Sequence, residues 1–366
     1  MPALALADAL TGRGAGVSFI GTARGLEASL VPEAGYELDQ ADLRGLERRL
    51  SPRFLLFFWS LFKGSFDSLA ILRRRRPDVV VGGGGYVSAV PVFVAAVTGA
   101  PVLIVELDSH MGLANRVLAP FAGLVCLSFP IPGKTGEKYA ITGRPLPGRL
   151  LTANPDEGRR RFNLNGDLPV VLVSGGSLGA KSINMACAEA FGRGRLELQL
   201  VHVSGRRDFE TVRRLLQEQG ADLENYHLLD YTNDLPLAMA AADLVVGRSG
   251  ASVLEVAALG KPALLIPYPH ATASHQLHNA QWMAGAGAAE VIEDSELTGS
   301  VFRERVLALL DNPARLHQMA AASAALGRRD GAERIADEVL KLNKRMPDSG
   351  ARTLARTKKA NKQLDK

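Results

Sequence analysis

Three times along this chain a short all-apolar run ends in a glycine-rich turn and re-emerges as an apolar, helix-like stretch. Asp78-Val79-Val80-Val81 runs into Gly82-Gly83-Gly84-Gly85-Tyr86, ahead of an apolar helix expected over Ser88–Val97. Pro169-Val170-Val171-Leu172-Val173 runs into Ser174-Gly175-Gly176-Ser177-Leu178-Gly179-Ala180. Leu244-Val245-Val246 stops at Gly247, and Arg248-Ser249-Gly250-Ala251-Ser252 then leads into a helix over Val253–Leu259, closed by Gly260. Runs that are apolar on both faces read as strands of a parallel sheet covered on both sides, and a glycine just past the last helical residue reads as a C-terminal stop. Further strands are expected over Val17–Gly21, Pro101–Glu106, Leu196–Val203, His227–Leu229 and Ala263–Ile266. Helices are expected over Val301–Leu310, Ala314–Ala325 and Ala332–Leu342.

Strand–helix alternation in both halves specifies an α/β fold of two facing, Rossmann-like, doubly wound domains with a cleft between them. A chain of 366 residues is also long for one domain and ordinary for two. Gly143-Arg144-Pro145-Leu146-Pro147-Gly148 is rigid and turn-rich, a suitable linker. The expected division is 1–145 and 146–326, with a helix over 327–345 packing back toward the first domain. Residues 346–366 are polar, basic and poor in apolar side chains, and are expected to be disordered. One element is out of order. Pro2-Ala3-Leu4-Ala5-Leu6-Ala7-Asp8-Ala9-Leu10 reads as a helix stopped by Gly12 and Gly14, whereas α/β domains normally open with a strand. The first domain is therefore expected to lack its opening strand; the alternative is a fold that begins with a helix.

Charge and cysteine content narrow the function classes. The net charge of +5 is concentrated at Arg73–Arg76 and in the tail after Arg345, which suits an anionic membrane surface or an acidic substrate. Nucleic acid is the weakest partner class, because no zinc spacing, helix-turn-helix signature or aromatic–basic interleaving is present. Cys126 and Cys187 lie in separate apolar runs and read as buried, reduced thiols, as expected in a reducing cytoplasm. No apolar run reaches membrane-spanning length, and the N-terminus lacks the pattern of a signal peptide. Phe54–Phe62 is the most apolar short segment. On its own residues it reads as a buried helix, with an interfacial membrane contact as the alternative, since Trp and Phe among cations suit the headgroup boundary.

The glycine turns carry the chemistry. A strand entering a helix through small residues presents backbone N–H groups and the positive helix end to an anion, and Arg248 adds a cation. Glu255, one turn into its helix, can accept both hydroxyls of a ribose. Asp108 and His110 follow the strand ending at Glu106, where α/β sheets place ligands. No Ser–His–Asp or Cys–His arrangement is legible, and no Walker lysine follows any glycine turn. The Gly82 loop does not have the GxGxxG pattern of a dinucleotide site, which argues against NAD. His270, His275 and His278 lack neighbouring carboxylates, so polar contacts to a sugar or plain surface positions are preferred to zinc. What remains is a glycosyltransferase using a nucleotide-sugar donor, with the departing diphosphate stabilised by a helix N-terminus and an arginine, without a metal or other cofactor.

Several motifs then resemble one family in order. They are PALALADAL near the start, GGYVSAVP at Gly84–Pro91, GLANR at Gly112–Arg116, SGGSLGAKSIN at Ser174–Asn184, RSGAS with Glu255, and PYPHATASHQLHNA at Pro267–Ala280. Together they resemble the MurG family, peripheral transferases that move GlcNAc from UDP-GlcNAc onto the undecaprenyl-linked muramyl-pentapeptide of peptidoglycan synthesis. The likeness extends to about Leu342 and implies an inverting transferase of GT-B fold at the cytoplasmic face of the membrane, in contact with anionic inner-leaflet lipid. It implies donor contacts at Asp108, Ser177, Thr232, Arg248, Ala251, Ser252, Val253, Glu255, His275 and Gln276. It places the acceptor's diphosphate at Gly83, Gly84, Gly85 and Tyr86, and the membrane at Phe57, Phe58, Trp59 and Phe62, which reverses the preference for a buried helix there.

The departures from the family pattern are specific. The family has a strand and a Gly-Gly-Thr-x-Gly-His-type loop ahead of PALALA, where this sequence begins at Met1-Pro2. Asp108 stands for an asparagine, His275 for a glutamine and Pro147 for a linker arginine. The general base is therefore not identified, and Asp108 and Glu106 are the remaining candidates. The alternatives are a UDP-GlcNAc-binding protein without turnover and a UDP-sugar epimerase on a similar fold.

Overall fold

The structure is a computed structural model that describes residues 2–43, 53–164, 166–176, 179–271 and 274–344, with the side chains of 53–61 outside the description. Chain contacts divide it into two compact units. The first holds Met1–Pro145 and the chain from Asp330 onward, and the second holds Leu146–Arg329.

The described strands of the first unit are β1 (Ser18–Gly21), β2 (Glu37–Gln40), β3 (Val80–Gly82), β4 (Val102–Glu106), β5 (Leu124–Leu127) and β6 (Tyr139–Ile141). All pairs are parallel and form two sheets, β1–β2 and β3–β4–β5–β6, with Val80 opposite Val102 and Leu103 opposite Leu124. Period-two alternation in β4 feeds two cores. Val102 and Ile104 pack with Val92 and Ala95 of the helix Gly85–Val97. Leu103 and Val105 pack with Leu6 and Leu10 of the helix Pro2–Thr11, and with Ile335 and Val339 of the helix Gly331–Lys344. The last described helix thus completes the first unit, and truncating a side chain such as Ile104 to Ala would cost about 2–5 kcal/mol. Val17 packs in the same cluster as Val79 and Val81, so the residues around β1 and β3 share one core although they belong to separate described sheets.

The second unit contributes β7 (Val170–Ser174), β8 (Gln199–Val203), β9 (Tyr226–Leu229), β10 (Leu244–Gly247), β11 (Ala263–Leu265) and β12 (Ala289–Val291). They form one parallel sheet in the order β12-β11-β10-β7-β8-β9. The order reverses between β7 and β10, which is the topological switch point of a doubly wound sheet and the place where such sheets bind ligands, beyond the strands' C-terminal ends. Two of the three glycine turns therefore flank the switch point.

Several expectations shift. The helix after the Gly82 run begins at Gly85 rather than Ser88, because Gly84 and Gly85 take positive φ and Ser88 Oγ donates to the Gly84 carbonyl at 2.6 Å. The strand expected from Leu196 begins at Gln199, since Leu196 and Leu198 are buried in the lead-in without joining the ladder. Strands β2, β5, β6 and β12 were not expected: β2 is the polar sequence Glu-Leu-Asp-Gln, and β6 and β12 are three residues each. The tail 346–366 lies outside the described residues.

Candidate active site: glycine-lined loops in both units

At the switch point of the second unit, glycine is required by close approach. A Cβ on Gly247 would lie 2.3 Å from the Ser174 carbonyl, so the ends of β10 and β7 can meet only with glycine there. A Cβ on Gly175 would lie 2.3 Å from the Ala180 N, and one on Gly179 would lie 2.4 Å from the Ser204 carbonyl. Gly176 and Gly179 both have positive φ. The described parts of this turn, Ser174–Gly176 and Gly179–Ala180, thus pack closely before the helix Lys181–Phe191 begins. Ser177, the expected phosphate contact, lies outside the described residues.

Arg248, the expected diphosphate contact, is engaged within the fold. Its guanidinium does not extend as an open clamp but is held by four protein acceptors. Nη1 donates to the Ile266 and Pro267 carbonyls at 3.1 and 3.2 Å and to Asp294 Oδ1 at 2.6 Å, and Nη2 donates to Ser182 Oγ at 2.8 Å. Asp294 Oδ1 also accepts from Ser182 Oγ at 2.7 Å, and the guanidinium stacks over Tyr268. With its side chain 12% exposed, Arg248 ties β10, the end of β11 and the start of the helix Lys181–Phe191 into one block.

The turn after Arg248 is stapled to the polar segment downstream. Ser249 Oγ donates to the Gln276 carbonyl at 2.7 Å, and Asn279 Nδ2 donates to the Ser249 carbonyl at 2.9 Å. Gln276 Oε1 accepts the Tyr268 N–H at 3.0 Å, which leaves its Nε2 end as the donor it can offer a sugar hydroxyl. Val253 is buried and its N–H bonds the Gly250 carbonyl, so it faces the core while Ala251 and Ser252 form the outer edge of the turn. Glu255 follows half-buried in the first turn of the helix Val253–Ala258, and His275 opens the helix His275–Gly285, also half-buried. The structure therefore brings Arg248, Ala251, Ser252, Glu255 and Gln276 onto one framework. Thr232 lies beyond the end of β9, at the edge of the sheet, where its Oγ1 accepts the Asp234 N–H at 3.0 Å.

In the first unit the Gly82–Tyr86 loop borders a cavity of about 710 Å³. Gly83, Gly84, Gly85 and Asp108 line its polar side, and Tyr86, Phe93, Leu113 and Val117 its apolar side. Gly84 needs its glycine twice over: φ is +86°, and a Cβ would lie 3.3 Å from Asn115 Nδ2.

Glu106, a candidate base from sequence, has another role. It is 5% exposed, and its carboxylate accepts three N–H groups. Oε1 takes the Asp108 N–H at 3.1 Å, and Oε2 takes the Gly112 N–H at 3.0 Å and Asn115 Nδ2 at 2.9 Å. A carboxylate so engaged anchors the 108–112 loop to the end of β4 and is unsuited to collecting a substrate proton. Asp108 is half-buried on the cavity wall, and His110 is exposed. Asn115, the floor under Gly84, was visible in sequence only as part of GLANR.

Of the expected membrane contacts, Phe62 is described. It is 58% exposed and packs edge-on against the equally exposed Phe66, with ring centroids 4.7 Å apart. Phe57, Phe58 and Trp59 lie on the helix Arg53–Arg75, with side chains outside the description. The Arg73–Arg76 run is in part spent within the fold. Arg74 pairs with Asp39 at 2.6 Å and Arg75 with Asp39 and Glu37, and the Arg75 guanidinium first, with Arg74, holds the Asp39 carboxyl below its usual range. No described helix is long and apolar enough to cross a membrane. No group of three His, Cys, Asp or Glu among the described residues is placed to hold a metal.

Comparison with known proteins places these features in context. Residues 1–126 match the glycosyltransferase family 28 N-terminal domain, and residues 170–335 match its C-terminal domain. A protein of Moorella thermoacetica named UDP-N-acetylglucosamine–N-acetylmuramyl-(pentapeptide) pyrophosphoryl-undecaprenol N-acetylglucosamine transferase is 41% identical over 351 residues, covering 93% of this chain and 95% of that one. The crystal structure of Acinetobacter baumannii MurG superposes with a TM-score of 0.75 at 28% identity, over 93% of this chain and 95% of that one. A UDP-GlcNAc 2-epimerase from Neisseria meningitidis, solved with UDP-GlcNAc bound, gives a TM-score of 0.65 at 15% identity, over 93% and 96% of the two chains, and shares the fold alone.

Proposed function

The chain belongs to the MurG family of glycosyltransferase family 28, and from that premise we propose that it transfers GlcNAc from UDP-GlcNAc to the lipid-linked muramyl-pentapeptide, forming the disaccharide precursor of peptidoglycan. The observation that carries this reading is identity of about two residues in five to a named transferase over nearly the full length of both chains. The GT-B architecture of two α/β units with parallel sheets agrees with it.

The reaction is an inverting displacement. The acceptor hydroxyl attacks C1 of GlcNAc from the face opposite the diphosphate, its proton passes to a base, and UDP departs. The second unit serves the donor. The small residues of the Ser174–Ala180 loop and of the Gly250–Ser252 turn let backbone N–H groups approach the diphosphate and stabilise the charge that develops as it leaves. Glu255 accepts the ribose hydroxyls, Thr232 marks the uracil edge, and Gln276 with His275 addresses the sugar. Arg248 keeps these groups in register through Asp294 and Ser182. The first unit serves the acceptor. Its glycine loop takes the diphosphate, and the apolar wall of the cavity adjoins the lipid. Asp108, the accessible carboxylate on that wall, is the candidate base now that Glu106 is committed to the loop.

The protein works peripherally on the membrane. The exposed Phe62 and Phe66 support this placement, as does the exposed apolar row Phe93, Val97, Leu113, Val117 and Phe121. Anionic lipid is the partner that the net charge of +5 suits. The chemistry needs no metal, and a chelator is expected to leave the rate unchanged.

The test is incubation with UDP-GlcNAc and a short-prenyl analogue of the lipid-linked acceptor, with product analysis by mass spectrometry. Acceptor gaining one N-acetylhexosamine supports the reading. UDP-GlcNAc isomerised at C2 without acceptor would replace it with an epimerase, and donor binding without turnover would leave a UDP-GlcNAc-binding protein.

A further inference from the structure

Behind the glycine loop of the second unit lies a buried polar chain that none of the roles above uses. Asn184, in the first turn of the helix Lys181–Phe191, is fully buried. Its Nδ2 donates to the Ser204 carbonyl at 2.8 Å and to Asp208 Oδ2 at 3.0 Å, and its Oδ1 lies 3.0 Å from His202 Nε2. His202 Nδ1 lies 2.8 Å from the Tyr226 hydroxyl, which in turn lies 3.4 Å from Cys187 Sγ. Cys187 stands one helical turn after Asn184, so the chain leaves the helix at Asn184, crosses β8 and β9, and returns to the same helix.

The direction of every bond is determined. Asn184 Nδ2 faces a carbonyl and a carboxylate, so it must be the donor end of the amide and Oδ1 the acceptor. His202 therefore donates from Nε2 and accepts at Nδ1 from the Tyr226 O–H, and the Tyr226 oxygen accepts the Cys187 S–H. A neutral histidine is the state this arrangement requires. Burial favours it, because His202 is fully enclosed and desolvation pushes its pKa down to about 3.

The two acceptors of Asn184 are also the groups against which the glycine loop closes. At Gly179, φ is +74°, and a Cβ would lie 2.4 Å from the Ser204 carbonyl and 3.5 Å from Asp208 Oδ2. The distance between the helix start and the end of β8 therefore sets how closely the loop's last residues pack, and Asn184 fixes that distance. We propose that Asn184 and His202 are positioning residues for the donor-phosphate loop, with the His202 Nε2–Asn184 bond holding the loop in its binding geometry and the His202–Tyr226–Cys187 arm serving stability alone. The inference rests on the reading of this loop as the donor site.

Two substitutions separate the arms, because Gln places a donor near the position of Nε2, whereas Asn places its amide near the position of Nδ1. In the full chain, His202→Gln keeps the arm to Asn184, and His202→Asn keeps the arm to Tyr226. Asn184→Asp keeps the acceptor toward His202 but sets a carboxylate against Ser204 and Asp208. The readouts are the KM for UDP-GlcNAc, the KM for a short-prenyl acceptor, the calorimetric dissociation constant of UDP-GlcNAc, and the melting temperature. The expected result is a donor KM and dissociation constant raised at least about tenfold in His202→Asn and Asn184→Asp, with acceptor KM within about twofold of wild type and His202→Gln within about threefold on both. A cluster that only stabilises the core would lower the melting temperature of all three variants without moving donor affinity. Donor affinity within about twofold of wild type in a folded His202→Asn variant would overturn the role of the His202–Asn184 bond, and the same result in a folded Asn184→Asp variant would overturn the role of Asn184 in spacing the loop from Ser204 and Asp208. A wild-type chain that neither binds nor turns over UDP-GlcNAc would instead overturn the functional reading beneath it.

Discussion

Replacing Glu106 by Gln separates a structural carboxylate from a catalytic one. The two residues have the same shape, but Glu106 accepts three N–H groups and a glutamine amide has one acceptor oxygen. Its best orientation puts that oxygen toward the Gly112 N–H and Asn115 Nδ2, and turns its NH2 against the Asp108 N–H, 3.1 Å from the present oxygen. One charge-assisted bond, worth about 1.5–3 kcal/mol, is lost, and two others become neutral bonds of roughly half that strength. The smaller desolvation cost of a buried amide offsets part of this, leaving a net loss of about 2–4 kcal/mol. For a unit of this size that corresponds to a fall in melting temperature of about 5–15 °C. Calorimetry on the wild type and on Glu106→Gln measures it, and steady-state kinetics at low temperature should show a raised acceptor KM with turnover retained. Asp108→Asn should do the opposite: an unchanged melting temperature and a turnover reduced by about 10²–10⁴. Abolished turnover in Glu106→Gln at an unchanged melting temperature would refute the assignment and make Glu106 the base.

Three further outcomes follow from the same geometry. In a double-mutant cycle on Arg248→Gln and Asp294→Asn, read by donor KM and by chemical denaturation, the two changes should be non-additive by about 1–2 kcal/mol, because both break one latch; strict additivity would return Arg248 to the role of an independent diphosphate clamp. Gly84→Ala should cost about 1–2 kcal/mol of stability and raise acceptor KM with donor KM unchanged, since its φ is +86° and the new methyl meets Asn115. His202 has a folded pKa of about 3 against an ordinary value of 6.5, so below pH 6.5 the unfolded chain takes up a proton that the folded one refuses. Its contribution is complete above pH 6.5 and declines on acidification at up to about 1.4 kcal/mol per pH unit, and denaturation of wild type and His202→Gln at pH 7 and pH 5 should show the difference between them narrowing at the lower pH.

The parts of the site that were legible in sequence are those encoded in contiguous residues. Gly175, Gly179 and Gly247 announce tight turns because no other side chain fits where their Cβ would fall, and the strand before each turn fixes which end of the sheet it occupies. The partners of these turns were not legible, because they come from distant segments. Asp294 meets Arg248 across 46 positions, so the arginine read as available when the fold engages it. Glu106 lay in plain view, but its three donors depend on a loop whose path only the structure shows. His202 offered a signal: a single histidine among apolar residues in Leu200-Val201-His202-Val203 must find buried partners or destabilise the strand. Its partners, Asn184 and Tyr226, sit 18 and 24 positions away on other elements. The basic run shows the same effect in reverse, since half of Arg73–Arg76 is consumed by Asp39 and Glu37 of the otherwise unremarked β2.

The central claim is acceptor-dependent transfer. The direct measurement is the rate of UDP release from UDP-GlcNAc by the 366-residue chain, with and without a short-prenyl lipid-linked muramyl-pentapeptide, alongside Glu255→Ala. The account predicts release that requires the acceptor, scales with formation of the disaccharide product, and is lost with Glu255. UDP release that is indifferent to the acceptor, or product that forms equally well without Glu255, would contradict it.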